Sequence, residues 1–478
     1  MQIDTIMQQS AQAFDIYKQV KPAERAAFLE TIAAEIEKQR EILAETAGKE
    51  TNLPAARLNG EITRTTNQLK LFAELIREGS WVDAVIDTAR PDNTPPRPDI
   101  RRMLLPVGPV VVFGASNFPF AFSTAGGDTA SVLAAGATVV IKGHPAHPRT
   151  SLLVFTAMQK AIAAAGMPEH TVQHVADVAL GKELVLHPLT TGVGFTGSLQ
   201  GGKALMAYAT ERESPIPVFA EMSSINPVVF FPDALQTQAA QLAQTFAASI
   251  TLGMGQFCTN PGLLVAIQSE ALENFVQLLG TAIAASTPQK MLHSGIQQAY
   301  VKGRADMLAQ VTLVSETAAP APDEAWPALG RATGAEFLKN HALKEELFGP
   351  YSLVVTCKDK AELMAVLKSL KGQLTTTVVG TETDTAQWQD VIALQATLAG
   401  RIILNQPPTG VEVCAAMVHG GPFPATSDQR FTSVGTSAIK RWVRPVCFQN
   451  FPDHLLPDAL KKDNPQGIWR TVDNQLTK

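Results

Sequence analysis

The twelve residues LLPVGPVVVFGA, positions 104–115, decide how the rest of the chain is read. At their centre Val110, Val111, Val112 and Phe113 form a β-branched and aromatic run, with Pro109 before it and Gly114 after it. A short apolar run punctuated in this way predicts a buried strand. Working outward, ATVVIK (137–142), TVQHV (171–175), TGVGFTG (191–197) and IPVFAEM (216–222) repeat its character. Between them SLLVFTAMQKAIAAAG (151–166) and SLQGGKALMAYATERE (198–213) are helix-like. This alternation, kept up over about 120 residues, predicts a parallel sheet with helices on both faces.

Upstream, the stretch from Ala23 to Glu50 spaces apolar residues at helical intervals with charges between, which predicts an amphipathic helix. TNQLKLFAELIRE (66–78) predicts another. RPDNTPPRPDI (90–100) holds four prolines and suits an exposed linker or arm. Downstream, a second α/β region opens at NPVVFF (226–231). It continues through a helix over 235–251, the turn GMGQFCTNPG (253–262) and the run GLLVAIQ (262–268). The tail segment AIKRWVRPVCFQNFP (438–452) mixes basic and apolar residues and is suited to adding an edge strand to a partner.

At 478 residues the chain is long enough for two or three domains. It is 45% hydrophobic and 17% charged, the profile of an ordinary globular protein. Its formal net charge of −5 has no block of like charges behind it, which speaks against a nucleic-acid partner. The start, MQIDTIMQQS, has no basic segment followed by an apolar one, so no secretory signal is read. The best candidate for a membrane span, 124–141, carries Asp128 among several Gly and Ala residues. A buried small-residue helix leading into a strand explains it better. The four cysteines, at 258, 357, 414 and 447, are too dispersed for a zinc site or a disulfide framework. Together these features predict a cytoplasmic protein with free thiols, no metal and no membrane partner.

Gly192-x-Gly194-x-x-Gly197, followed by Glu221, has the form of a dinucleotide fingerprint. The register does not fit, because Gly192 and Gly194 fall inside the apolar run and only Gly197 can open the helix. What survives is GSLQGG (197–202) at a helix N-terminus, whose free N–H groups suit a phosphate; Ser198 serves equally as a plain cap. Lys142 ends a strand on the edge where open α/β sheets bind ligands, or else extends its ammonium to solvent. Asn117 follows another such strand and reads equally as a turn residue. Glu221 also ends a strand. Burial there raises a carboxyl pKa, as a general base requires, while a solvated strand end is the plainer alternative. Cys258 alone of the cysteines follows a Gly-rich loop and precedes Thr, Asn and Pro. A catalytic thiol needs a lowered pKa, and local sequence leaves nucleophile and packing side chain both open.

In order along the chain, NFPF, VVIKGHP, FTGSLQGG, FAEMSSINP, GQFCTNPG and EELFGP (345–350) resemble the successive motifs of the aldehyde dehydrogenase superfamily. The segments 113–131, 220–228 and TGVEVCAAMVHGGPFPATSD (409–428) look most like its 2-oxoglutarate semialdehyde (2,5-dioxopentanoate) dehydrogenases. The NADP-linked fatty aldehyde dehydrogenases of luminous bacteria are near relatives of these. By that resemblance Cys258 is the nucleophile that captures an aldehyde as a thiohemiacetal. Asn117 and the Cys258 backbone N–H stabilise the oxyanion. Glu221 activates the water that hydrolyses the later thioester. Members that hand the acyl group to coenzyme A generally lack this glutamate. Lys142 corresponds to the lysine on the adenosine ribose and Ser198, within the turn Gly197–Gly202, to the pyrophosphate contact. Phe195 corresponds to a residue of the cofactor cleft, and Glu346 with Phe348 to the pair that steadies the nicotinamide ribose.

Three departures from the family pattern matter. NAD-preferring members carry a glutamate three residues beyond the lysine. Here that position is Pro145, with His144 beside it, which favours NADP over NAD. Ser116 stands where many members have tryptophan, which opens the substrate channel. The chain begins almost directly in the first helix, where the family usually has a strand-rich lead-in, so the edge of the cofactor domain is expected to be reduced.

The resemblance implies an α/β fold of two Rossmann-related parallel-sheet domains with a small oligomerisation arm. Residues 1–92 and 107–222 bind the cofactor, 223–438 carry Cys258, and 93–106 with 439–478 bridge subunits in a homodimer or homotetramer. The implied activity is NAD(P)-dependent oxidation of an aldehyde to its acid, with 2,5-dioxopentanoate as the favoured substrate. A fatty or broad-specificity aldehyde dehydrogenase is the enzymatic alternative. A non-catalytic protein retaining the fold is the other; it would be free to lose Cys258, Glu221 or Asn117, and all three are present.

Overall fold

The computed structural model describes residues 2–318 and 320–478. Val110–Phe113 is the central strand of a five-stranded parallel sheet. The order is Val172–Val175, Val139–Lys142, Val110–Phe113, Gly192–Thr196, Val218–Glu221. Alternation sets the packing: Val110 and Val112 enter a core with Phe28, Leu69 and Leu133, while Val111 joins Met7 and Val140 on the other face. Each such burial contributes about 1.5–3 kcal/mol, which fixes the strand against register slip. The chain moves outward from the central strand on one side and then returns to its other side. The order therefore reverses between Val110–Phe113 and Gly192–Thr196, and the crevice beyond their carboxyl ends is where such sheets bind ligands.

The helix expected from Ala23 onward is two helices, Pro22–Glu37 and Arg40–Thr51. No residue from Glu37 to Ile42 is buried, so packing does not hold the helix together across that stretch. The apolar segment 124–141 forms the helix Gly127–Ala135 and then a strand, as its small residues suggested. Among the described residues no helix is long and apolar enough to cross a membrane.

The second sheet has seven strands, in the order Thr312–Glu316, Ala328–Thr333, Tyr351–Cys357, Leu263–Ile267, Val228–Phe230, Gln373–Val379, Ala399–Leu404. All pairs are parallel except the one made by Thr312–Glu316. This sheet turns its amino edge, not its carboxyl edge, toward the first one. Ser224–Asn226, Cys258–Gly262 and Gly349–Pro350 all lie just before strands.

A third sheet joins Val443–Gln449, Ile100–Pro106, Val85–Asp87, Arg470–Val472 and Gln475–Thr477. Val85–Asp87, read from sequence with residues 1–92 as part of the first unit, thus lies in this third sheet instead. It is three residues long, and ladders to Ile100–Pro106 and Arg470–Val472 hold it there. The proline-rich segment is closed by a bridge between Arg90 and Arg97, and Arg97 pairs with Asp473 at 2.6 Å. The tail is anchored in the first core, where Trp442 is fully buried and donates to Ser131 Oγ at 2.8 Å. Beside it Arg441 pairs with Asp128 at 2.7 Å.

Candidate active site

The carboxyl edge of the first sheet supplies half of the site. Beyond Phe113 the chain runs as a loop through Asn117, and helix Ala55–Glu78 pins that loop. One oxygen of buried Glu61 accepts from the Phe120 and Ala121 amides at 2.8 and 2.9 Å. Arg57, one turn earlier, donates to the Asn117 carbonyl at 2.7 Å and lies against the rings of Phe118 and Phe257. Asn117 Nδ2 donates to the Gln256 carbonyl at 3.2 Å, which fixes the amide and leaves its second hydrogen for a ligand.

Gly192 and Gly194 lie inside the strand, as the register required. A Cβ on Gly194 would stand 2.8 Å from the Asp128 carboxylate and 3.1 Å from Trp442, so glycine serves packing there. Gly197 and Ser198 open the helix Leu199–Glu211, with Ser198 Oγ accepting from Gly201 N at 3.1 Å. Phe195 underlies this turn, 2.6 Å from where a Gly197 Cβ would fall. Gly202 packs against Met222 with no room for a side chain. Glu221 ends the fifth strand.

The amino edge of the second sheet supplies the thiol. After helix Pro232–Thr251 the chain reverses through Gly253, Met254 and Gly255, whose φ angles of 53°, 57° and 61° are all left-handed. At Gly255 a side chain would also collide with the Gly349 carbonyl, so both conformation and space demand glycine. Asn226 then holds the turn: its Nδ2 donates to the carbonyls of Cys258 and Asn260 at 2.8 and 2.9 Å. Its Oδ1 accepts from Thr375 Oγ1 at 2.9 Å. Gln373 Oε1 in turn accepts from the amides of Ile225 and Asn226 at 2.8 and 3.1 Å. Neither Asn226 nor Gln373 was singled out from sequence. Asn226 lay inside a quoted motif, whereas Gln373 carries no local signal.

His419 completes the site and was also missed. Its Nε2 lies 2.8 Å from Glu221 Oε1 and 3.5 Å from Cys258 Sγ. Donor atoms of the three side chains all fall within 4.8 Å of one another. His419 and Glu221 are 0% and 2% exposed, while Cys258 is part-exposed. The segment bearing His419 is sewn to the fifth strand by the Glu221–Thr426 bridge and by Met222 N donating to Ala425 O at 2.8 Å.

The electrostatics differ from the sequence expectation in two places. Burial favours the protonated Glu221, but the His419 imidazole and hydrogen bonds from His419 and Ser433 outweigh it. The carboxyl is held below its ordinary value, not above. Cys258 goes the other way: burial, then the Glu221 carboxylate, push the thiol well above its ordinary range, with Arg64 opposing. At rest the site therefore holds an ionised carboxylate beside a protonated thiol. Of the other cysteines, Cys357 is buried and Cys447 exposed.

One cavity of about 340 Å³ is lined by Asn117, Glu221 and Cys258 together with Gly197, Ser198, Glu346 and Phe348. Residues 1–302 match the family model described as the aldehyde dehydrogenase family. The chain is 47% identical over 482 residues to the alpha-ketoglutaric semialdehyde dehydrogenase of Acinetobacter baylyi, covering 100% of this chain and 92% of that one. It is 49% identical over 470 residues to alpha-ketoglutaric semialdehyde dehydrogenase 2 of Azospirillum brasilense, covering 97% and 89%. The chain belongs to the aldehyde dehydrogenase family. The fold agrees: the gamma-glutamyl-gamma-aminobutyraldehyde dehydrogenase of Burkholderia cenocepacia superposes with a TM-score of 0.78 at 21% identity, over 94% of this chain and 88% of that one.

Aldehyde dehydrogenases use NAD or NADP, and the residues of this family member fit such a dinucleotide. The helix Leu199–Glu211 presents first-turn amides without intrahelical acceptors, and the glycines around Ser198 let a phosphate approach the backbone. Glu346 is half-buried, accepts from Ser223 Oγ at 2.5 Å and has its pKa raised by desolvation to about 7. Lys142 and His144 lie outside the cavity, farther along the sheet edge. Burial lowers the Lys142 pKa while Asp177 opposes the shift. His144 stacks on His147 with ring centres 5.6 Å apart, and burial lowers its pKa to about 3, leaving the ring neutral.

Proposed function

We propose that this protein oxidises 2-oxoglutarate semialdehyde to 2-oxoglutarate with NADP or NAD, using Cys258 as nucleophile. The observation that carries the reading is the meeting of Asn117, Glu221 and Cys258 around one cavity, with His419 joined to Glu221 and Cys258 behind it, in a chain about half identical to two proteins named for that substrate.

The Cys258 proton passes to the His419–Glu221 pair, and sulfur attacks the aldehyde carbon. The former carbonyl oxygen becomes an oxyanion held by Asn117 Nδ2 and the Cys258 backbone N–H. Gly197, Ser198, Lys142, Glu346 and Phe348 hold the dinucleotide, which when bound supplies the hydride acceptor. Cys258 then carries the acyl group as a thioester. The proton taken from the thiol is released to solvent. Glu221, ionised again and tied to His419, takes a proton from water, whose oxygen attacks the thioester carbon; that proton is the one the thiol later regains. The carbon–sulfur bond breaks, the acid leaves, and the thiol regains its proton.

Pro145 in place of a carboxylate beside Lys142 supports NADP as the preferred dinucleotide. Asp177, whose charge reaches the same lysine, keeps NAD as the second reading. The third sheet, with open edges at Val443–Gln449 and Gln475–Thr477, serves as the arm through which copies associate as a homodimer or homotetramer. A cytoplasmic setting keeps the thiol reduced.

The test is direct. Purified protein is given 2-oxoglutarate semialdehyde with each dinucleotide while reduced nicotinamide is followed by absorbance. Turnover with kcat/KM above that for long aliphatic aldehydes is expected; the reverse order rejects the substrate.

A further inference from the structure

Helix Ala55–Glu78 turns Arg57, Glu61 and Arg64 toward the site from one face, at spacings of four and three residues. Arg57 is engaged by the Asn117 carbonyl and Glu61 by two backbone amides. Arg64 has no such engagement: its Nε and Nη2 are buried without a hydrogen-bond partner. The guanidinium lies 5.4 Å from the centre of the Phe122 ring, and Phe122 lines the cavity that holds Cys258. The centre of the same ring lies 6.4 Å from that of His419. Burying guanidinium donors without acceptors is costly, and the acceptor that matches two adjacent N–H groups is a planar, two-oxygen anion.

Arg64 itself lines a second cavity, of about 630 Å³, whose lining shares no residue with the cavity of Gly197 and Ser198. Its walls are the Gly60–Glu74 face of the same helix and the loop Val411–Val413, which leads into His419. Lys70, Glu74 and Glu412 line it too, but Arg64 Nε and Nη2 bond to none of them. The charge of Arg64 is felt first at Glu61 on the same helix and then at Cys258, Glu412 and Glu221. Arg64 thus stands between a solvent-facing vestibule and the reacting thiol.

We propose that the vestibule between helix Ala55–Glu78 and loop Val411–Val413 is the entry for substrate, and that Arg64 receives the carboxylate at the far end of a short ω-oxo acid whose aldehyde meets Cys258. The proposal rests on the semialdehyde reading above and deepens it. Capture at both ends explains how a short, strongly hydrated aldehyde is positioned. A long aliphatic aldehyde leaves the guanidinium buried with no acceptor, so Arg64 discriminates against it.

The experiment compares the unaltered protein with Arg64→Met and Arg64→Lys. Each is assayed with 2-oxoglutarate semialdehyde and with pentanal, and glutarate is tested as an inhibitor of pentanal oxidation. In Arg64→Met the ratio of kcat/KM for semialdehyde over pentanal should fall roughly 100-fold, chiefly through KM. Arg64→Lys, which keeps the charge but loses the fork, should recover part of that ratio. Glutarate should inhibit the unaltered protein and lose its effect in Arg64→Met. An unchanged ratio, with both substrates falling together, overturns the proposal. If the unaltered protein prefers pentanal, the semialdehyde reading fails, and glutarate alone decides Arg64: inhibition abolished by Arg64→Met upholds the anion site, and inhibition absent or unaltered overturns it. Thermal unfolding of each variant shows that folded protein is being compared.

Discussion

The five-stranded sheet meets the cavity with its carboxyl edge and the seven-stranded sheet meets it with its amino edge, and the two edges supply different things. On the carboxyl edge, functional groups sit where buried strands stop: Glu221 at the end of Val218–Glu221, Ser198 just past Gly192–Thr196. Their placement follows from the apolar runs behind them, and the next helix brings free amides for an anion. On the amino edge the chain must reverse before it enters a strand. Left-handed residues at 253–255 make that reversal, and the amides of Asn226 and Gln373 fix it. The first edge holds charge and binds; the second holds one atom, Cys258 Sγ, in a set place.

The largest expected effect tests whether the edges are separable. Cys258→Ala should lower aldehyde oxidation by about 10⁴-fold or more while dinucleotide binding, measured by calorimetry, stays within a few-fold. Loss of both would mean that the thiol turn also shapes the carboxyl edge.

Glu221→Gln, on the opposite edge, should reduce steady turnover by roughly 100- to 1000-fold yet leave a first-turnover burst of reduced nicotinamide. Mass spectrometry should then find the acyl group on Cys258. A missing burst would mean that taking the thiol proton requires the Glu221 carboxylate and cannot be done by His419 without it. The sign of its pKa shift adds a pH test. A carboxyl held below its ordinary value remains ionised as pH falls through the usual carboxylate range, so thioester hydrolysis should persist there. A rate that already declines near neutrality assigns the step to another group.

Ser198→Ala gives the smallest change. Removing the cap of helix Leu199–Glu211 should cost about 1 kcal/mol of stability, seen as a lower Tm, and weaken dinucleotide binding a few-fold. No change in either would mean that the first-turn amides do not depend on their cap.

The contrast between edges also explains what the sequence made legible. The strands around Val110–Phe113 were readable because a buried parallel strand writes itself as a continuous apolar run. Lys142 and Glu221 could be placed at strand ends for the same reason. Asn117 and Cys258 gained meaning from ordered motifs, since neither has a periodic signal of its own. His419 stayed hidden because it lies on an irregular segment, and what brings it to Glu221 is a bridge between residues more than 200 apart. The direction of the Glu221 shift was misjudged for the same reason: burial was foreseeable, the buried imidazole beside it was not. Val85–Asp87 escaped because three residues are too short for any pattern.

The protonated state of Cys258 also bears on chemical durability. Oxidants and alkylating agents attack the thiolate, so a thiol that burial and a neighbouring carboxylate keep protonated is shielded between turnovers. Exposed Cys447 has no such cover and should be the first cysteine lost to mild peroxide. The arrangement that delays the nucleophile until an aldehyde arrives is thus also its protection against damage while it waits.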